Sequence, residues 1–536
     1  MAHALLLMAE GEAPAYTVRD PVKLRAIAAE YGIEVEGRDD KPIAKDLAEA
    51  LLADFGKQHG QLQFVARAPQ RQQDNWRKVG ATPEGVDTPI VETLARTHIG
   101  VDTEAEHLLM GALKASIADG WGGSMIATEV SDILFGMPKP MQAKSNLGVL
   151  NEKNVNIILH GHVPILPEVI VDAAQSPEMI ELAKEVGAEG ITIAGMCCTA
   201  NEMLMRRGIP VAGDFLMQEL AIATGAVELM VVDVQCIMPS LPSISSHWHT
   251  KVVSTDPRAK FPGAEHIELD ERHAAEIGMS IVRKGIENFP NRNGHEIRIP
   301  DGVSDVIAGF TAENIFYFLG GKYRSTYRPL NDAIIAGRIR GVAGVVGCDN
   351  VKNTSGGCHV DMVKELIKND VLVVQTGCSA LNSATAGLMR PEAAAEFAGK
   401  GLQEICETVG IPPVLHMGSC VDNARILIAC CNMVKEGGIG NDISELPVAG
   451  AAPEWMSEKA ISIAWYVIGS GIFTVLGSPL SVLGSPSVTK FLTEDLEDIV
   501  GATWAFEPDP IKAAHLMIDH IDKKRKALNL KPMMYE

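Results

Sequence analysis

The period of apolar positions changes once along the chain. Over residues 1–148 apolar side chains recur three and four apart, as in "KPIAKDLAEALLADFG" and "DTEAEHLLMGALKASIADG", which predicts amphipathic helices and few strands. In "DPVKLRAIAAEYG", Asp20 has the chemistry of an N-cap and Pro21 fits the first helical position. From about residue 149, short apolar runs alternate with amphipathic stretches: "NVNIILHGH", "ITIAGMCC", "VELMVVDVQC" and "TKVVST". Such alternation implies a parallel sheet flanked by helices. After the polar stretch "NFPNRNGHEIRIPDG" the pattern resumes with "IRGVAGVVGC", "NDVLVVQTGC" and "IPPVLHMGSC", and it closes on the basic helix "HLMIDHIDKKRKAL". The expected fold is therefore α/β: a helical domain over 1–148 and two Rossmann-like domains with mainly parallel sheets, 149–302 and 303–536. The two α/β halves share a layout, and no short-period repeat or low-complexity segment interrupts them.

Composition narrows the function classes. With 47 basic and 68 acidic side chains the net charge is −21, which repels nucleic acid and anionic membranes. The start, "MAHALLLMAEGEAPA", lacks a basic n-region and is interrupted by Glu10 and Glu12, which argues against a signal peptide. The longest apolar stretch, "AWYVIGSGIFTVL" from Ala464, is too short to cross a bilayer. A soluble, cytoplasmic protein is expected. In that compartment ten cysteines stay reduced, so they are core residues or ligands.

Five of the ten share one position in the pattern. Cys198, Cys236, Cys348, Cys378 and Cys420 each stand at or just past the end of an apolar run, and His162 closes a sixth. Open parallel sheets bind ligands at the carboxyl ends of their strands, so these six side chains can converge on one crevice. Cysteine also fills cores for no other reason. Cys430 and Cys431 in "NARILIACCNMV" and Cys406 in "GLQEICETV" lie within helical patterns and are assigned to packing, whereas Cys358 in "TSGGCHV" stays open. Of the doublet Cys197–Cys198, alternation leaves one member facing the crevice; Cys198 is assigned to it, with Cys197 packed behind. Thiolates favour zinc, copper(I) or iron–sulfur centres. No C-x-x-C knuckle of the structural zinc type is present, and five thiolates with an imidazole exceed the four ligands of a plain cubane, which suggests a cluster enlarged by another metal.

At "LHGHVPILPEVI", "GMCCTANEMLMRRGIPVAGDF", "VVDVQCIMPSL", "VVGCDN", "VVQTGCSA" and "LHMGSCVDNARI" the sequence resembles the nickel-containing anaerobic carbon monoxide dehydrogenases. "PVAGAAPEWMSEKAISIAWYVIGSG" and "FEPDPIKAAHLMIDHIDKKRKAL" look more like the subunit that works with acetyl-CoA synthase than like the stand-alone enzymes. The resemblance implies reversible oxidation of CO with water to CO2, two protons and two electrons at a nickel–iron–sulfur cluster. It implies that Cys420 binds nickel, that His162 and Cys198 bind the iron outside the cubane core, and that Cys236, Cys348 and Cys378 bind the other irons. Lys459 matches a lysine that stabilises charge on the reacting carboxylate, and Asp119 matches an aspartate near the active site. Ile463 follows Lys459 by four residues, so it shares a helical face and can shape the CO pocket. The "HWH" of His247 and His249 matches no cluster motif and is expected at the surface.

The family normally carries, ahead of the matched region, a cysteine-rich segment that binds further [4Fe-4S] clusters, one shared across a dimer axis. This sequence has no cysteine before Cys197, and His3 matches only the last histidine of a family helix. The expectation is that it begins inside a longer protein. Implied partners are a ferredoxin-type electron carrier, an acetyl-CoA synthase subunit and a second copy in a homodimer. Two alternatives remain. One is a hybrid-cluster, hydroxylamine reductase-like protein, disfavoured because that family is expected to place a carboxylate where Cys198 stands. The other is a catalytically silent, partner-binding subunit.

Overall fold

The computed structural model describes residues 1–292, 296–320, 326–353 and 356–535; residues 293–295 of the polar stretch and 354–355 beside Cys358 lie outside it. The amino-terminal part is helical, as its apolar spacing predicts. Helices Pro21–Glu30, Asp40–Ala53 and Ala105–Ala118 occupy the three periodic stretches. Asp20 caps the first, its carboxylate accepting from the Lys23 backbone N–H at 2.9 Å, which satisfies one of the free donors of the opening turn.

The strands follow in two sets. The first comprises β1 (Met141–Ser145), β2 (Val155–Gly161), β3 (Ile191–Met196), β4 (Val211–Gly213), β5 (Val227–Val232), β6 (Lys251–Ser254) and β7 (Glu265–His266). The second comprises β8 (Ser304–Ala308), β9 (Gly341–Val345), β10 (Val371–Thr376), β11 (Val414–Gly418), β12 (Val448–Ala452), β13 (Thr474–Leu476) and β14 (Trp504–Phe506). All of them join one sheet in the order β14-β13-β12-β9-β10-β11-β8-β1-β4-β3-β2-β5-β6-β7. Read outward from the middle, both halves have the same order, so the shared layout seen in the sequence is a repeated topology. Every neighbouring pair is parallel except β1 with β8, which run antiparallel with Met141 opposite Ala308 and join the halves.

β1 was not expected from the sequence. Its residues, "MQAKS", alternate between half-buried and exposed and carry too few apolar side chains to show against the helical pattern around them. By contrast β2, β5, β10, β11 and β12 are buried at every position, because helices cover both faces of a parallel sheet. In each half the strand order reverses beside the first long parallel strand, between β2 and β5 and again between β9 and β12. Those reversals open crevices at the carboxyl ends of the strands.

Contacts across the halves bring these ends together. Asn201, on the helix Cys197–Arg207 that leaves β3, donates to the carbonyl of Gly377 at 3.2 Å, where the helix after β10 begins. Its amide oxygen lies 2.7 Å from His416 Nε2 on β11. The helical part seats on the helix Glu458–Gly469: Trp76 donates to the carbonyl of Gly469 at 2.6 Å and Trp121 to the hydroxyl of Ser470 at 2.9 Å. A Cβ on Gly120 would lie 2.4 Å from the Tyr466 ring, so that approach requires glycine. No helix among the described residues is long and apolar enough to cross a membrane.

Candidate active site at the strand ends

Each of the six residues singled out in the sequence follows a strand. His162 comes directly after β2, Cys198 two residues after β3, Cys236 after β5, Cys348 after β9, Cys378 after β10 and Cys420 after β11. The chain turns sharply at every one. Gly161, Cys197, Gln235, Gly347 and Gly377 each immediately precede a site residue with φ of 138°, 56°, 65°, 125° and 63°, and Gly418, two before Cys420, has 128°. Cys197 and Gln235 adopt this conformation without being glycine, at a cost of about 1–2 kcal/mol each. At Gly377 a Cβ would also lie 2.7 Å from the Cys420 Sγ.

The side chains meet. The Cys420 backbone N–H points at Cys198 Sγ at 3.4 Å, and His162 Nε2 lies 3.7 Å from Cys236 Sγ. Burial raises the Cys236 thiol, and the neighbouring Cys378, Cys348 and Cys420 raise it further. Burial likewise pushes Cys348 up to about 12. The Cys420 thiol is the exception: its hydrogen bond with Cys198 and the nearby Lys459 ammonium lower it to about 6, against the pull of burial. Cys197 is not merely packed behind its neighbour. Its thiol adjoins that of Cys378 in the same packed cluster, so both members of the doublet border the crevice.

His162 is held for one task. Its Nδ1 lies 2.9 Å from the Val234 carbonyl, which can only accept, so Nδ1 carries the proton and Nε2 presents a lone pair toward the thiols. The Asp233 carboxylate accepts from the backbone N–H groups of His162 and Val163, each at 2.8 Å, and fixes the turn. Burial raises that carboxyl to about 7 despite these bonds. Asp233 escaped the sequence reading because, in "VVDVQC", it looks like a polar residue closing a strand.

Lys459 and Ile463 lie on the helix Glu458–Gly469 beside the same crevice. Lys459 donates to Gln235 Oε1 at 3.3 Å. Burial opposes its charge, yet Cys420, Cys198, Cys236 and Asp119 together raise it above the usual lysine value, so it is a cation. Asp119 begins a π-helical turn, Asp119–Gly123, and accepts from Ser124 at 2.9 Å and from Ser462 at 2.8 Å. Its contact is with the helix that carries Lys459. An apolar cavity of about 70 Å³ adjoins Cys348, Cys420 and Lys459 and continues past Ile463 between Ile426 and Val467. Its walls are mostly apolar, and such a space admits a small apolar gas more readily than water.

A buried ionic network backs the crevice. Asp132 pairs with Arg206 at 2.7 Å and Arg425 at 2.8 Å, and Arg425 pairs with Asp422 at 2.9 Å. Asp422 accepts from the Ser419 backbone at 2.8 Å, while Ser419 Oγ donates to Glu202 at 2.6 Å. These residues frame the turns that carry Cys420 and Cys198. The sequence showed none of this, since its members are spread from residue 132 to residue 425.

The other sequence expectations divide. Cys406, Cys430 and Cys431 are core residues, at 1%, 6% and 2% exposure. Cys358 lies in the first turn of the helix Gly357–Lys368 and adjoins Glu454. His247 is exposed, but His249 is not the surface residue expected. Its side chain is 2% exposed, and its Nε2 meets Glu228 at 2.9 Å because the loop folds under the end of the sheet.

Comparison with known proteins places this arrangement. The model of the Prismane/CO dehydrogenase family matches residues 1–511. "Carbon monoxide dehydrogenase 1" of Methanosarcina mazei is 55% identical over 98% of this chain and 82% of its own. "Carbon monoxide dehydrogenase/acetyl-CoA synthase subunit beta" of Moorella thermoacetica is 38% identical over 97% and 79%. The nickel-free crystal structure of carbon monoxide dehydrogenase from Thermococcus sp. AM4 superposes with a TM-score of 0.96 at 50% identity, covering 99% of this chain and 83% of that one. On the extent of these matches, the chain belongs to the Prismane/CO dehydrogenase family.

Proposed function

We propose that this protein is an anaerobic carbon monoxide dehydrogenase, an oxidoreductase that catalyses CO + H2O ⇌ CO2 + 2 H⁺ + 2 e⁻. The observation that carries the reading is the meeting of five thiols and one imidazole lone pair at six strand ends. The donor set fits a nickel–iron–sulfur cluster. The sulfurs are soft, the His162 Nε2 is unprotonated, and the burial that holds Cys236 and Cys348 protonated ceases to do so once a metal replaces the proton. His162, Cys198, Cys236, Cys348, Cys378 and Cys420 would hold it. When bound, the cluster supplies a soft metal for CO, a Lewis acid that makes hydroxide available near neutral pH, and an acceptor for two electrons.

The protein's own residues complete the reaction. The Lys459 ammonium stands where negative charge grows on oxygen as CO is hydrated, and in a site with little water a fixed cation stabilises that charge strongly. Asp119 holds the Lys459 helix through Ser462, and in this reading it also accepts a proton from the site. Ile463 and the apolar cavity behind it admit a diatomic gas and exclude water.

The electrons leave to a ferredoxin-type acceptor in this reading, and the chain acts as a homodimer. Association with an acetyl-CoA synthase subunit is supported by the 38% identical relative whose name states that assembly. Anaerobic reconstitution with iron, sulfide and nickel, followed by metal analysis and CO-dependent viologen reduction, tests the proposal. Nickel incorporation with CO oxidation supports it. Iron without nickel, with hydroxylamine reduction, would replace it by the hybrid-cluster reading, and failure to take up either metal would leave a binding subunit.

A further inference from the structure

One buried polar cluster has no part in the reaction above. Asp349, His359 and Glu454 are each 0% exposed, and one ligand-type atom of each lies within 4.8 Å of the others. Asp349 follows Cys348 at the end of β9, His359 is on the helix Gly357–Lys368, and Glu454 follows β12. The three therefore flank the reversal of strand order between β9 and β12.

Each side chain has one atom engaged and one free. Asp349 accepts from Asn382 Nδ2 at 2.5 Å, and its Oδ2 has no partner. Glu454 accepts from the Asn350 backbone N–H at 2.9 Å, and its Oε1 has no partner. His359 Nε2 lies 2.9 Å from the Cys348 carbonyl, so Nε2 is the donor, and the unpartnered Nδ1 presents a lone pair. Buried carboxylate oxygens and an imidazole lone pair that no cation faces are costly, and the His359 Nδ1 lone pair has no donor at all. The Asp214 carboxyl and the Cys378 thiol face Asp349, and the Cys358 thiol faces Glu454, but no ion pair among the described residues involves Asp214, Asp349 or Glu454.

We propose that Asp349, His359 and Glu454 form a second metal site that binds one divalent cation of the zinc class. One imidazole and two carboxylates are a donor set that zinc accepts, and hydrogen bonds to the far side of each ligand orient it as metal sites require. The cation ties the loop after β9 to the loop after β12. It thereby steadies Cys348 on one side of the crevice and the approach to Lys459 on the other.

Cobalt(II) titration of the cluster-free full chain separates this site from the thiols. Cobalt bound by nitrogen and oxygen shows ligand-field bands without the thiolate-to-metal charge-transfer band that cobalt at the cysteines produces. The expected result is about one equivalent of the first kind, competed by zinc, and weakened about tenfold or more in Glu454→Gln while the thiolate signal persists. Absence of that class of cobalt, or its full retention in Glu454→Gln, would overturn the proposal. If the variant does not fold, crystals of the wild-type protein grown with zinc decide. An anomalous peak bonded to all three side chains supports the site, and a peak elsewhere or none refutes it.

Discussion

Replacing Asp132 by asparagine keeps the shape of a fully buried side chain and removes its charge. Burial by itself would raise this carboxyl, but Arg425, Arg206 and Lys23 hold it down to about 2, against an ordinary value of 3.8. That depression corresponds to about 2 kcal/mol of folding stability at neutral pH. Truncation costs more than the pair contributes, because the guanidiniums of Arg206 and Arg425 stay buried without their shared partner; about 3–5 kcal/mol is expected. The pH dependence has a definite sign. A lowered folded value means the contribution is complete above about pH 4 and disappears as pH falls through about 2, so roughly half of it is gone by pH 3. Urea unfolding of the metal-free wild type and Asp132→Asn, followed by tryptophan fluorescence at pH 7 and pH 3, reads both quantities. The gap between the two proteins should narrow by about 1 kcal/mol on acidification. A gap under about 0.5 kcal/mol at pH 7, or one that does not narrow, would refute the assignment of Asp132 as the hub of the network.

Three further substitutions probe the crevice. Cys420→Ala is expected to lose nickel and keep much of its iron in elemental analysis; wild-type nickel content would remove Cys420 from the ligand set. Lys459→Ala should assemble the cluster with normal metal content but oxidise CO about 100- to 1,000-fold more slowly, the usual loss for a group that stabilises developing charge; undiminished viologen reduction would dismiss that lysine from the mechanism. Gly377→Ala places a Cβ 2.7 Å from Cys420 Sγ in a backbone with φ of 63°, at about 1–2 kcal/mol for the conformation alone. Lower metal uptake and lower stability should result, and a fully loaded variant as stable as wild type would show that the turn has room to spare.

The sequence made the six crevice residues legible because a parallel sheet turns a one-dimensional pattern into a place. An apolar run ends, and whatever follows it lies at the carboxyl edge, so Cys198, Cys378 and Cys420 could be grouped without knowing any distance. The glycine contexts were visible too, although the left-handed turn at Cys197 was not, since nothing in a cysteine announces positive φ. What the pattern could not carry was pairing between distant segments. Asp132, Glu202, Asp422 and Arg425 each look like an ordinary helix-face charge, and only the fold reveals that they meet. His249 failed for a related reason: its loop composition suggested the surface, whereas Glu228 at the base of β5 draws it inward. β1 was missed because its exposed positions make it polar, although it pairs with both β8 and β4.

Anomalous diffraction at the nickel and iron edges, from crystals of the anaerobically prepared protein, measures the central claim directly. The account predicts one compact group of iron peaks with a nickel beside it, bonded to the Sγ atoms of Cys198, Cys236, Cys348, Cys378 and Cys420 and to His162 Nε2. Metal bound elsewhere on the chain, with these six side chains free, would contradict it.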